Sequence, residues 1–237
     1  MKKVTIEKQP DDITCGPTCL HAVYSFYNDI VPLTQLIDEV PSLQTGGTLA
    51  VYLGCHALRR GYDVLLYVYN LKLFDPTWFS ETQVDIKTKL SEQIAHKHGK
   101  RMAAATGAYI DYLNLGGRLA YRDLTAELIT THLKNGTPIL TGLSATYLYD
   151  CARERELTPN KSTYDDIRGT PTGHFVVLSD VETGTKQVHI ADPYHDNRLF
   201  RNSYYTVPMR KLLNAILLGI ITYDGNLLII QPKQKHR

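Results

Sequence analysis

The sequence predicts an α+β fold, because helix-like and strand-like patterns are segregated along the chain rather than alternating. In the first half, apolar residues recur at helical spacing. In the second, short runs rich in β-branched and aromatic residues are set off by Gly, Thr, Asn and Asp. With 237 residues, 43% of them hydrophobic and 21% charged, the chain can bury a substantial core and shows no internal repeat or low-complexity linker. One domain over residues 1–237 is expected, helical over about 1–135 and sheet-rich over about 136–237.

The first helix is predicted after Gly16 and Pro17, where Cys19, Leu20, Val23, Phe26 and Tyr27 fall on one face. Pro17 suits a first turn, where the missing N–H costs nothing. Helical patterns follow at about Leu33–Val40, Leu49–Arg60, Gln83–His96, Met102–Leu113 and Thr125–Lys134, with a strand, YDVLLYVYN, after Gly61. The second half reads as strands TPILTGLSA, HFVVLSDV and KQVHIADP, a helix at about Pro208–Leu218, and a last strand NLLIIQP. HFVVLSDV and KQVHIADP, joined by ETGT, form an expected antiparallel hairpin. Tyr147–Gly173 has no clear periodicity and many charges. A loop of that length is expected to act as a lid or a binding loop.

Charge and composition narrow the function. A net charge of +2, with lysines, arginines and acids mixed throughout, gives no basic footprint for nucleic acid. No run approaches the roughly 18 apolar residues of a membrane span, and the two early lysines are followed by no apolar stretch. Four cysteines, Cys15, Cys19, Cys55 and Cys151, are too few for a disulfide framework, so a reducing cytoplasm is expected.

The segment QPDDITCGPTC, Gln9 to Cys19, carries the most chemistry. A thiol becomes a nucleophile near neutral pH when something positive lowers its pKa and a base holds its proton. A helix N-terminus just after Cys15, opened by Gly16 and Pro17, supplies the first through its dipole and unpaired N–H groups, which also suit an oxyanion. A neutral amide such as Gln9 is a suitable second oxyanion donor. His174 heads one strand, where Gly173 is expected to turn the backbone and present the imidazole. Asp192 closes the next strand and can fix the imidazole tautomer across the hairpin.

Gln9, the CGP of TCGPTC, GHFVVL and ADP together resemble the double-glycine, bacteriocin-processing type of cysteine peptidase in the papain-like clan. The resemblance is close in the N-terminal segment and at about Thr172–Tyr194, and holds only in outline between. It implies a papain-like fold with an oxyanion Gln9, a nucleophilic Cys15, a general-base His174 and an orienting Asp192, needing no cofactor or metal. It further implies thiol-dependent cleavage of a peptide or amide substrate. Exporter-linked members carry more: here no Gly-rich loop is followed by Lys and Ser or Thr, so a stand-alone member is expected, with Phe74–Leu119 remodelling the cleft. The same dyad also serves acyltransferases and transpeptidases, and a non-catalytic peptide-binding module is a third reading.

Other candidates have plainer explanations. A lone cysteine is more often a small buried hydrophobe than a nucleophile, and Cys19, inside the helix, reads as core. Cys55 and Cys151 have no recognisable partner. His189, Asp192 and His195 fit no familiar zinc spacing. Asp180 shares a strand with His174 and cannot easily reach back to it.

Overall fold

The computed structural model describes residues 3–43, 46–80, 84–158, 161–222 and 225–233. In chain order its helices are α1 (Cys15–Phe26), α2 (Leu33–Glu39), α3 (Ala50–Arg59), α4 (Ile86–Ile94), α5 (Lys100–Asn114), α6 (Ala126–Lys134), α7 (Ala145–Leu148) and α8 (Met209–Leu218). The strands are β1 (Tyr62–Val68), β2 (Arg118–Ala120), β3 (Ile139–Ser144), β4 (Glu154–Thr158), β5 (Lys161–Tyr164), β6 (Gly173–Glu182), β7 (Gln187–Ala191), β8 (Tyr204–Pro208) and β9 (Asn226–Pro232). Short 3-10 turns at Pro76–Phe79 and Gly219–Thr222 complete it. This is the α+β class expected.

Seven strands form one sheet in the order β2-β1-β9-β3-β6-β7-β8, antiparallel except for the β1–β2 pair. β9 lies between β1 and β3, joining the early helical part to the later strands. Alternation along these strands separates two cores. Val64, Leu66, Leu140, Phe175, Val177, Leu228 and Ile230 pack with α1, α3 and α5; Tyr67, Ile139, Leu143, Val176, Leu178, Leu227 and Ile229 pack with α6 and α8. Burial on both faces explains why ILTGLS and NLLII read as continuous apolar runs rather than half-polar ones.

Local signals place several ends. Asp85 caps α4 and Thr125 caps α6, each side chain accepting a backbone N–H of the first turn. α4 therefore starts at Ile86, and Gln83, where the pattern placed the start, lies outside the described residues. Three features differ from the sequence reading. Tyr147–Gly173 begins at the end of α7 and contains a separate β4–β5 hairpin. Neither hairpin strand buries a face in the core, so no period-2 apolar pattern marks it. β2, of three residues, and the edge strand β8, with only Val207 buried in it, are equally faint in sequence. Gly173 makes no sharp turn: it is the first residue of β6, opposite Ser144 of β3.

Leu228 is fully buried at the middle of the sheet. Leu228→Ala is expected to lower unfolding stability by about 2–5 kcal/mol, read as a lower urea midpoint at unchanged slope.

Candidate active site

α1 starts at Cys15 itself, so this thiol stands at the helix N-terminus. The preceding residue, Thr14, makes no side-chain cap. Its hydroxyl instead donates towards the Asp11 carbonyl at 3.4 Å, and its carbonyl accepts the first helical bond from Thr18. The leading N–H groups are thus left without a competing side-chain acceptor. Gly16 is required by packing: a Cβ there would overlap the Thr48 methyl and press on the Phe175 ring of β6. The close approach of α1 to β6 brings Cys15 close enough to the imidazole of His174 to influence its charge.

His174 is the second residue of β6, and Asp192 follows the end of β7, the neighbouring antiparallel strand. The His174 Nε2 to Asp192 Oδ1 distance is 2.8 Å. With Nε2 engaged, Nδ1 is the ring nitrogen left for Cys15. Asp192 is 0% exposed and Cys15 8%. The imidazole packs with the rings of Tyr149 and Tyr194, whose centroids lie 6.0 and 6.2 Å away. Burial by itself pushes His174 down, but the negative charges of Asp192 and Cys15 outweigh it and raise the histidine to about 10. Because the folded value lies above the ordinary 6.5, the pairing stabilises the fold below 6.5 and is lost as pH rises through about 10.

Gln9 is buried beside this pair and lines one cavity with His174, Tyr149 and Tyr194. Its Nε2 donates to the Asp11 carbonyl at 2.7 Å, which holds the amide and leaves its second N–H. Its backbone N–H donates to the Pro193 carbonyl at 3.0 Å, tying the segment to the turn that follows Asp192. The Asp-rich turn is ordered by Asp11, whose carboxylate accepts the Ile13 N–H at 3.0 Å. Gln9, Cys15, His174 and Asp192 are therefore brought together in the fold.

Two further groups at the site escaped sequence reasoning. The hydroxyls of Tyr149 and Tyr205 donate to Asp192 Oδ2 at 2.6 and 2.5 Å. In a chain with 16 tyrosines, no local signal separates these two from core and rim residues. The β4–β5 hairpin was also unread, although its position fits the lid expected there: Glu154 and Ser162 line two cavities, one of about 260 Å³ bounded by His174 and one of about 310 Å³ bounded by Cys15. Tyr164 of β5 hydrogen-bonds Tyr194, which packs on the imidazole. Phe74–Leu119 packs mainly behind α3 and β1, contributing Arg101 to the cleft wall.

The other candidates lie apart from this chemistry. Cys19 is fully buried, donates to the Phe175 carbonyl at 3.2 Å, and is raised well above the ordinary thiol value by burial and by Cys15 and Asp192. Cys55 is buried in the core, and Cys151 donates to the Thr146 carbonyl at 3.9 Å. The Asp180 carboxylate accepts the Val181 N–H, away from His174. His189 pairs with Glu182 at 3.0 Å on the surface. Among the described residues, no group of three or more His, Cys, Asp or Glu side chains is placed to hold a metal ion, and no helix is long and apolar enough to cross a membrane.

A family model described as the Peptidase_C39 like family matches residues 1–215, which include all four of these side chains. The chain belongs to this family. The fold of this Peptidase_C39 like chain resembles that of a C39-like peptidase candidate from Bacillus anthracis, at TM-score 0.53 and 15% identity over 99% of this chain and 98% of that one. It is also similar, at TM-score 0.47 and 12% identity over 98% and 100% of the two chains, to the peptidase domain of Streptococcus ComA, a bi-functional ABC transporter. A double glycine motif protease from an AMS/PCAT transporter, solved with its leader peptide, gives TM-score 0.45 and 16% identity over 98% and 94%. A comparison with curated proteins finds no match. The resemblance read from the motifs thus holds at the level of the family and the papain-like fold.

Replacing Asp192 by Ala removes the larger of the two charges holding His174 up while burial remains. The histidine is then expected to titrate well below about 10, as measured by its imidazole NMR shift against pH.

Proposed function

We propose that this chain is a cysteine peptidase that cleaves a peptide or amide bond through an acyl-enzyme on Cys15. The observation that carries the reading is Cys15 at the N-terminus of α1 beside the hydrogen-bonded His174–Asp192 pair, with the Gln9 amide alongside. Family membership supports peptidase chemistry, and the geometry supports these residues as its agents.

In this mechanism His174 takes the thiol proton through Nδ1, and the thiolate–imidazolium pair is stabilised by Asp192 on one side and the helix N-terminus on the other. The Cys15 sulfur attacks the substrate carbonyl carbon, and the carbonyl π electrons move onto oxygen. The Cys15 N–H and the free Nε2–H of Gln9 hold that oxyanion. His174 protonates the leaving amine as the C–N bond breaks, leaving a thioester. A water then gives its proton to His174 and attacks the thioester, releasing the acid and restoring the thiol. The two cavities, one bounded by His174 and one by Cys15, give an extended chain room to lie along the site, under the β4–β5 hairpin. The working unit in this reading is a single domain acting in the cytoplasm, where its thiols stay reduced.

The reading is tested by the pH dependence of iodoacetamide alkylation at Cys15, followed by mass spectrometry. Rapid alkylation well below the free-thiol range near 8.5, lost in His174→Ala, is expected; ordinary reactivity in the wild type would sink the reading. With a peptide substrate in hand, Gln9→Ala is expected to lower kcat about a hundredfold, and Cys15→Ala to abolish turnover. Product analysis in the presence of added amine separates the two fates of the thioester. Free acid is expected to dominate, and an amide conjugate in excess would move the assignment to a transferase.

A further inference from the structure

Asp192 carries a charge in a place where charge is costly. The residue is 0% exposed, and an ionised carboxylate there must have its lone pairs met by donors. A carboxylate offers about four acceptor sites, and four donors fill them. Oδ1 receives His174 Nε2 at 2.8 Å and the Tyr194 N–H at 2.8 Å; Oδ2 receives Tyr149 at 2.6 Å and Tyr205 at 2.5 Å. The two oxygens thus have different duties, one facing the imidazole and the other held by phenols.

We infer that Tyr149 and Tyr205 are positioning residues, which keep Asp192 ionised and rotated so that its other oxygen meets His174. Their rings come from separate elements. Tyr149 follows α7 and packs on the His174 and Tyr194 rings, while Tyr205, on β8, stacks on Phe200 with centroids 3.8 Å apart. The aromatic packing therefore aims both hydroxyls at one point. Burial, followed by the charge of Asp192, pushes both phenols well above their ordinary value, so they remain donors wherever the thiol works. The remaining titratable groups facing Asp192 are His174 from β6 and Cys15 and Cys19 from α1. A phenol suits this task because it donates without bringing a positive charge that would compete with the imidazolium for Asp192.

The sign of the effect follows from the lost donors. Two donors on an anion favour its charged form, so removing them weakens the hold on the ionised carboxylate. The activated pair then fails from the acid side. This inference rests on the peptidase reading for its purpose, but its test needs only Cys15 reactivity.

The experiment is the pH profile of Cys15 alkylation in Tyr149→Phe, Tyr205→Phe and the double variant, each made in the wild-type chain and in Asp192→Asn. Phenylalanine keeps the ring packing, and folding is checked by circular dichroism. The acid limb is expected to move to higher pH in each single variant and further in the double. Alkylation should fall more steeply towards acid pH for one phenol, and more for both. In Asp192→Asn, which has no carboxylate to protonate, the tyrosine changes should leave the profile where it is. A packing role alone would lower reactivity equally at every pH. Tyr205 is only partly buried, so Tyr205→Phe supplies the decisive profile if the double variant does not fold. An unshifted acid limb in folded Tyr205→Phe and Tyr149→Phe, or the same shift in the Asp192→Asn background, overturns the inference. A wild type without His174-dependent reactivity would instead defeat the peptidase reading itself.

Discussion

The site depends on one buried interaction, the ion pair between Asp192 and His174. A carboxylate with no solvent contact is unstable by several kcal/mol unless it is paired and fully hydrogen-bonded. Much of the surrounding architecture meets that demand. β6 and β7 lie antiparallel so that the pair can form, the turn after Asp192 returns the Tyr194 N–H, and the Asp192 N–H is itself taken by the Ser203 carbonyl at 2.8 Å. Once the carboxylate is satisfied, the imidazole is fixed in one orientation, and α1 has only to deliver a thiol to its other nitrogen.

The N-terminal segment shows how the other half of the site is held. It runs beside the turn that follows Asp192: the Ile6 N–H donates to the Tyr204 hydroxyl at 2.9 Å, Lys8 pairs with Asp196 at 2.6 Å, and the Gln9 N–H reaches Pro193. The exposed ion pair contributes little by itself. The backbone bond matters more, because it links the proposed oxyanion donor to the same turn that bears the orienting acid. Gln9, Cys15 and Asp192 are thereby referenced to one another through short, stiff connections, although they lie far apart along the chain.

Legibility in the sequence followed the strength of local patterns. Helix α1, the β6–β7 hairpin and β9 were readable because apolar spacing and turn residues agree there. The proposed site residues were readable because Cys15, His174 and Asp192 stand where an element begins or ends, and Gln9 leads the short string that runs into Cys15. β8 and the β4–β5 hairpin were not, since an element that buries no regular face leaves no periodic trace. Tyr149 and Tyr205 were hidden for another reason. Their role arises from a convergence of a short helix end and an edge strand on one carboxylate oxygen, and neither neighbourhood encodes the meeting.

The position of β9 has a consequence for when the fold can close. The strand pairs Tyr62 with Pro232 on one side and Ile139 with Ile229 on the other, so the sheet cannot close until residue 232 has left the ribosome. α1 packs on the same core as β9, through Leu140, Phe175 and Leu228. A nascent chain that already contains Cys15, His174 and Asp192 therefore still lacks the strand that joins its two parts, and such long-range pairing closes slowly. Synthesis itself thus sets the earliest moment at which the whole fold can close.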